Sequence, residues 1–372
     1  MRYHLTLALG ALALAACSDY GYDAPVNPRV TPGDPPGAVY TLTNRPTGNE
    51  LIVFRRAVDG TLTVVDTVPT GGIGTGAGLS SAGSLVLTED NRFLLAVNAA
   101  SDDISVFSLT PDPVVVDLVD SDGELPVSIA VRGRLVYVLN AGESHISGFN
   151  LGPDGQLTLI AGSRRELSGE NAGGAQIAFS PDGRFLVVTE RLTNVIDVFA
   201  LNADGTASAA IPQESAGETP FGFDFSNDGT LVVSEAFGGA ADASATSSYD
   251  LVNEGELLAI TKSLGTTETA ACWVVISNDG RFAYVANTGS SSVSGYAVAP
   301  DGSLTLLDED GVTGETGGGG TDIAISANGQ FLYVLAHTAN AVTGFRRRAD
   351  GTLEKVTTGG GLPSGAIGLV AR

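Results

Sequence analysis

Two carboxylates at matching places in a repeated pattern are the first residues that could do chemistry. Glu190 closes the run IAFSPDGRFLVVTE (177–190), and Glu235 closes FDFSNDGTLVVSE (223–235). The same position in other copies holds Asn44, Asn98, Asn140, Asn287 and Ala336. Gathered at one mouth, the carboxylates could raise one another's pKa or share a cation, and the amides could bind polar ligand groups. The competing reading is that each polar residue hydrogen-bonds the backbone of an adjacent loop. Trp273, the single tryptophan, lies next to Cys272 at the start of another copy, and with Phe221 and Phe237 it could stack on a ligand or pack between elements. His145 and His337 fall in loops, and His337, directly after Ala336, is placed to reach the mouth.

Other chemistries lack their residues. No GxSxG elbow, phosphate-binding GxxxxGK[ST] loop or HExxH pair occurs. Gly317 to Gly320 is a flexible loop with no Lys-Ser/Thr helix start behind it. The SPDG and SNDG strings lack the later glutamate of a calcium loop and read as turns. No cofactor or metal set is indicated. A formal net charge of −23 disfavours nucleic acid and anionic headgroups as partners.

The elements that must position these residues are hairpins. VVISNDGRFAYVAN (274–287), IAISANGQFLYVLA (323–336) and weaker copies at 85–98 and 129–140 each show an alternating apolar run, a two-residue turn and a second run. Third strands follow as ISVFSL, ISGFNL, IDVFAL, VSGYAV and VTGFRR. Turns such as Asp154-Gly155 and Asp301-Gly302 lead to fourth strands such as QLTLIA and SLTLLD. The unit is four antiparallel strands with a period of about 45–51 residues, read from Asp182, Asp228 and Asp279. That period predicts propeller blades.

Six full copies occupy roughly 85–358. The N-terminal stretch supplies strands two to four of another unit, and AIGLVA at the C-terminal end supplies its first strand. Joining them predicts an all-β, seven-bladed propeller closed by pairing of the N- and C-terminal strands, with no free sheet edge at the seam. The tight turns fall on one face and the longer connections on the other, which is the expected binding face. The small, nearly uncharged loop at 236–248 lies there and could act as a lid or as surface decoration.

The pattern FSPDGRFLVV…IDVF…ADGT, with FAYVAN…VSGY…PDGSL, resembles the lactonase-like β-propeller family over about 39–372. That family includes bacterial 6-phosphogluconolactonase and carboxymuconate cyclase. The resemblance implies a channel mouth carrying histidine, arginine and glutamate, the histidine in a Pro-His context just before a first strand. The matching approaches here read GGAQ (173–176), TPFG (219–222) and AACW (270–273), so Gln176, Phe221 and Trp273 stand there. Glu190, Arg191 and Glu235 are the catalytic carry-overs the resemblance leaves. Asn44, Asn98, Asn140, Gln176, Phe237, Trp273, Asn287 and His337 are the ligand-binding candidates.

The N-terminus carries a second resemblance. Arg2, the apolar run Leu5 to Ala16 and the ending Leu14-Ala15-Ala16-Cys17 resemble a bacterial lipoprotein signal. It implies a signal peptide at 1–16, a lipidated Cys17 heading a Pro/Gly-rich tether to 38, and the propeller at 39–372. Ser18 after the cysteine implies the outer membrane, with membrane contact through the anchor alone. Cys272 is then left without a disulfide partner and reads as a small buried hydrophobe. The favoured function is a monomeric envelope module binding a small molecule, glycan or protein at the long-loop mouth. The alternative is a lactone hydrolase or cycloisomerase.

Overall fold

The computed structural model describes residues 37–372. The signal, Cys17 and the tether up to residue 36 lie outside the described residues. Seven sheets form the propeller, each of four antiparallel strands in sequential order from inside to outside, except at the seam. Blade 1 contains Gly37–Leu42, Glu50–Arg56 and Leu62–Pro69, and its innermost strand is Ile367–Ala371. Val39 pairs with Ala371, Tyr40 with Val370, and Thr41 with Leu369. The seam is therefore the one expected, and its strand begins two residues inside the stretch assigned to the tether.

The innermost strands of blades 2 to 7 are Leu85–Leu87, Pro126–Arg132, Gly174–Phe179, Pro220–Phe225, Ala271–Ile276 and Gly320–Ile325. Blade 2 departs from the pattern, because its innermost strand has only three residues. Blades 3 and 6 have broken outer strands, in which Arg165–Glu166 and Gly314–Glu315 resume pairing after a gap.

The hairpin turns have a common cause. Ser180 Oγ donates to Asp182 Oδ1 (2.6 Å), which also accepts from Arg184 N (3.0 Å), while Phe185 N donates to Ser180 Oγ (3.0 Å). Ser277, Asp279 and Phe282 repeat this arrangement. Glycine then takes the positive φ the turn requires, 72° at Gly183 and 70° at Gly280. The arginine after the turn lies over the following phenylalanine and reaches the next blade. Arg92 donates to Pro153 O, Arg184 to Asn253 O and Arg281 to Ala349 O. In blade 7, where Gln330 replaces that arginine, Arg346 covers Phe331 and donates to Asp59 O in blade 1. Buried tyrosines add ties, from Tyr137 to Gly205 O and from Tyr333 to Gly60 O.

Around the channel, side chains stitch several innermost strands to their neighbours. Gln176 exchanges two hydrogen bonds with the backbone of Phe223, and Asp224 Oδ2 accepts from Ile276 N (2.7 Å). Asp322 Oδ1 accepts from Ile323 N (2.8 Å), and the Asp322 carboxyl also takes the Leu369 N–H of the seam strand.

Candidate functional site

A cavity of about 310 Å³ opens at the channel end where the innermost strands begin. Its wall is built from strand entries, with Phe221 of blade 5, Cys272 and Trp273 of blade 6, Thr321 of blade 7 and Ile367 of the seam. Ser80, Ser81, Thr288 and Ser364 add hydroxyls, and no carboxylate lines it. Although the chain as a whole carries a net charge of −23, this hydroxyl-bearing, carboxylate-free wall suits a neutral or anionic hydroxylated ligand.

His337 is the imidazole on this wall. The turn His337–Ala339 holds its backbone and ring on one acceptor, since both His337 N and Nδ1 lie 2.9 Å from Gly319 O. A carbonyl oxygen can only accept, so Nδ1 carries a proton. In the neutral ring, Nε2 then keeps its lone pair, and it makes no hydrogen bond among the described residues.

Arg191 approaches from blade 4, directly after strand two. Burial holds its guanidinium below the usual arginine range, and its Nε has no hydrogen-bond partner among the described residues. Its charge is felt by the Cys272 thiol on the cavity wall. Burial pushes that thiol up to about 12, so Cys272 remains a neutral thiol near neutral pH.

The strand-two ends do not form the mouth drawn from the repeats. Asn44, Asn98, Asn140, Glu190, Glu235 and Asn287 are all fully buried, and none lines the cavity. They face outward, into connections and third strands. Asn44 Nδ2 donates to Ala77 O (2.7 Å), Asn98 Oδ1 accepts from Thr70 Oγ1 (2.7 Å), and Asn140 Nδ2 donates to Ser121 O (3.0 Å). Asn287 Nδ2 donates to Ser292 and Ser294. Glu190 Oε1 accepts from Ser168 Oγ (3.2 Å) and Gly169 N (3.1 Å), while Glu235 accepts from Ser247. This is loop anchoring by buried polar side chains, each with at least one hydrogen-bond partner, although Asn140 Oδ1, Glu235 Oε2 and Asn287 Oδ1 find none among the described residues.

Glu190 and Glu235 also have no partner in common. The carboxylate that couples to Glu190 is Asp197, two pairs along the same hairpin. Burial first and Glu190 second push Asp197 up to about 7. Gln176 belongs to the lower channel, where its amide is spent on Phe223. Phe237 is half-buried in a turn outside the cavity wall. Of the ligand-binding candidates, Trp273 and His337 line the cavity.

Sequence reasoning missed the hydroxyls and the segment 78–84 that carries two of them. That run, GLSSAGS, follows a glycine-rich stretch and lacks an alternating pattern. It crosses the channel instead of extending blade 2. Ser81 Oγ donates to Val127 O (3.0 Å), Ala82 N to Ala175 O (2.9 Å), and Trp273 Nε1 to Ser81 O (3.0 Å). Trp273 also meets Phe221 edge-on, with ring centroids 5.1 Å apart. The small residues between Gly78 and Ser84 were the available signal.

Comparison with known proteins places this architecture. The family described as Lactonase, 7-bladed beta-propeller matches residues 47–165, 132–237 and 243–366. A 6-phosphogluconolactonase of Enterobacter sp. (strain 638) is 26% identical over 166 residues, covering 42% of this chain and 50% of the relative. The chain thus spans about half the length of that relative. A solved structure from Lactobacillus plantarum superposes with a TM-score of 0.74 at 19% identity, covering 91% of this chain and 99% of the other. The periplasmic gluconolactonase of Pseudomonas aeruginosa superposes with a TM-score of 0.67 at 19% identity, covering 89% and 98%. At these identities the two structures speak for the fold.

Proposed function

The chain belongs to the lactonase seven-bladed β-propeller family, and on that premise we propose that its upper cavity binds and hydrolyses a lactone of the sugar-acid class. The observation that carries this reading is the fixed imidazole of His337, with Nδ1 held by Gly319 O and Nε2 unengaged at the cavity wall. Nε2 takes a proton from water as its oxygen bonds to the lactone carbonyl carbon. The ring C–O bond then breaks, and the same nitrogen returns the proton to the departing alkoxide. Arg191 lies outside the cavity lining and acts at a distance, its positive charge felt at Cys272 on the wall and favouring the developing oxyanion and then the product carboxylate. The wall hydroxyls suit the hydroxyl groups of such a ligand.

Purified protein assayed against a panel of aldonolactones tests this. His337→Gln should lower kcat by about 10²-fold or more, with KM within a few-fold. Glu190→Gln and Glu235→Gln should leave kcat near wild type, because both side chains sit inside blades. Turnover that survives His337→Gln but is lost in Glu190→Gln would refute the assignment. The observation favouring a second reading, a binding module without turnover, is that Gln176, Phe221 and Trp273 occupy the strand approaches. A lactone or acid that raises Tm without being consumed would establish that reading.

The N-terminal reading enters as part of the proposal. A lipid on Cys17 would hold the propeller at the outer membrane through the Pro/Gly-rich stretch that follows it. Loss of labelled-palmitate incorporation in Cys17→Ala tests it. Among the described residues, no helix is long and apolar enough to cross a membrane.

A further inference from the structure

Two cavities with largely separate linings lie along the channel. Ser81 lines the upper cavity and its neighbour Ala82 lines a lower one of about 380 Å³, while Trp273 lines both. The Trp273 indole, hydrogen-bonded to Ser81 O and braced edge-on by Phe221, therefore stands between the two chambers. Residues 78–84 run beside it, tied to blade 3 through Val127 O and to blade 4 through Ala175 O. Ser80 with φ 52° and Gly83 with φ 75° turn the chain into the channel and out again. A Cβ on Gly83 would meet Ser128 Oγ at 2.9 Å, so the segment is closely seated.

We infer that Trp273 and the segment 78–84 form a fixed partition that makes the upper cavity a blind pocket. Traffic is then confined to the long-loop face, and the buried part of a ligand is limited to one six-carbon unit. This rests on the sugar-acid reading of the site and specifies its size class. A cavity of about 310 Å³ lies at the low end of ligand pockets, roughly 300–1,000 Å³, and holds about ten waters' worth of liquid volume. That matches a monosaccharide acid. Removing the indole would join the upper chamber to the lower one and admit a second ring. Trp273 is thus a specificity-determining residue whose effect depends on its bulk.

Two measurements on the purified full chain test this. As the single tryptophan, Trp273 gives one indole N–H resonance, and its hydrogen bond to Ser81 O should slow exchange at least about 100-fold relative to a free indole. Exchange at the free rate would overturn the partition whether or not any ligand binds. Calorimetry with gluconate and lactobionate, two acids stable to hydrolysis, reads the size limit. Lactobionate should bind at least about 10-fold more weakly to the wild type, and Trp273→Ala should bring the two within about threefold. Trp273→Phe, which keeps most of the bulk but lacks the indole N–H, should retain the preference. Equal binding by the wild type, or an unchanged ratio in a folded Trp273→Ala, would overturn the size limit. If neither acid binds while indole exchange stays slow, the partition stands and the sugar-acid reading fails.

Discussion

Replacing Asp322 with asparagine should stabilise the propeller at neutral pH, although it removes a buried side chain that makes native hydrogen bonds. Asp322 is 6% exposed, beside the lower chamber, and burial pushes its carboxyl up to about 8 against the lowering effect of the Ile323 and Leu369 N–H groups. A carboxyl raised in the native state binds a proton there that the unfolded chain releases above 3.8. Native stability is therefore full below about pH 4, falls as pH rises toward 8, and levels off beyond it. Each pH step in that window costs about 1.4 kcal/mol, giving a ceiling of about 4 kcal/mol at pH 7. The adjoining chamber leaves the carboxyl in a higher effective dielectric than a packed core, which brings the expected effect to about 1–3 kcal/mol. The amide oxygen of the substituted side chain can still accept from Ile323 N and carries no ionisation cost. Urea denaturation at pH 5, 7 and 9, where unfolding is reversible, should show Asp322→Asn gaining on the wild type as pH rises. A variant less stable at every pH, or one with the wild-type slope, would refute the reasoning.

Other outcomes follow from the same geometry. Asp224, pushed up to about 6 by burial, should add a smaller loss of wild-type stability between about pH 4 and 6, and Asp224→Asn should abolish that part of the slope. Glu235→Ala strands the hydroxyl of Ser247 inside blade 5 and should cost about 1–3 kcal/mol by chemical denaturation, without changing ligand affinity. Gly311→Ala should be worse tolerated than an ordinary surface change, since the residue has φ 75° and a Cβ would lie 1.9 Å from Thr266 O; a lowered Tm is the readout. Deleting residues 366–372 should abolish the cooperative unfolding transition, because it removes the inner strand of blade 1 with buried Ile367 and Leu369.

The sequence made the architecture legible because each blade repeats the same local chemistry. The Ser-x-Asp-Gly turns needed only Ser180, Asp182 and Gly183, all close together along the chain. The seam was legible too, since the half-units at the two ends could be completed only by one another. The site was harder to read. Strand position placed Glu190 at the long-loop end, yet could not say that its side chain turns into its own blade toward Asp197 and Ser168. That direction is set by third-strand partners whose register depends on folding. The partition was hidden for a related reason. Ser81 and Ala82 have no periodicity, and their partners Val127, Ala175 and Trp273 lie on three other blades. His337 was visible as a loop residue, but its tautomer depends on a contact with Gly319, 18 positions away.

The seam has a consequence for how the protein is made. Gly37–Leu42 is synthesised before any blade is complete, and its hydrogen-bonding partner, Ile367–Ala371, emerges after all of them. Until then one flank of the first-made strands lacks its mate, a template for adhesion to other unfinished chains. The ring thus cannot lock until Ile367–Ala371 has emerged, and a chain cut short before that strand would leave the producing cell with a sticky, unclosed arc.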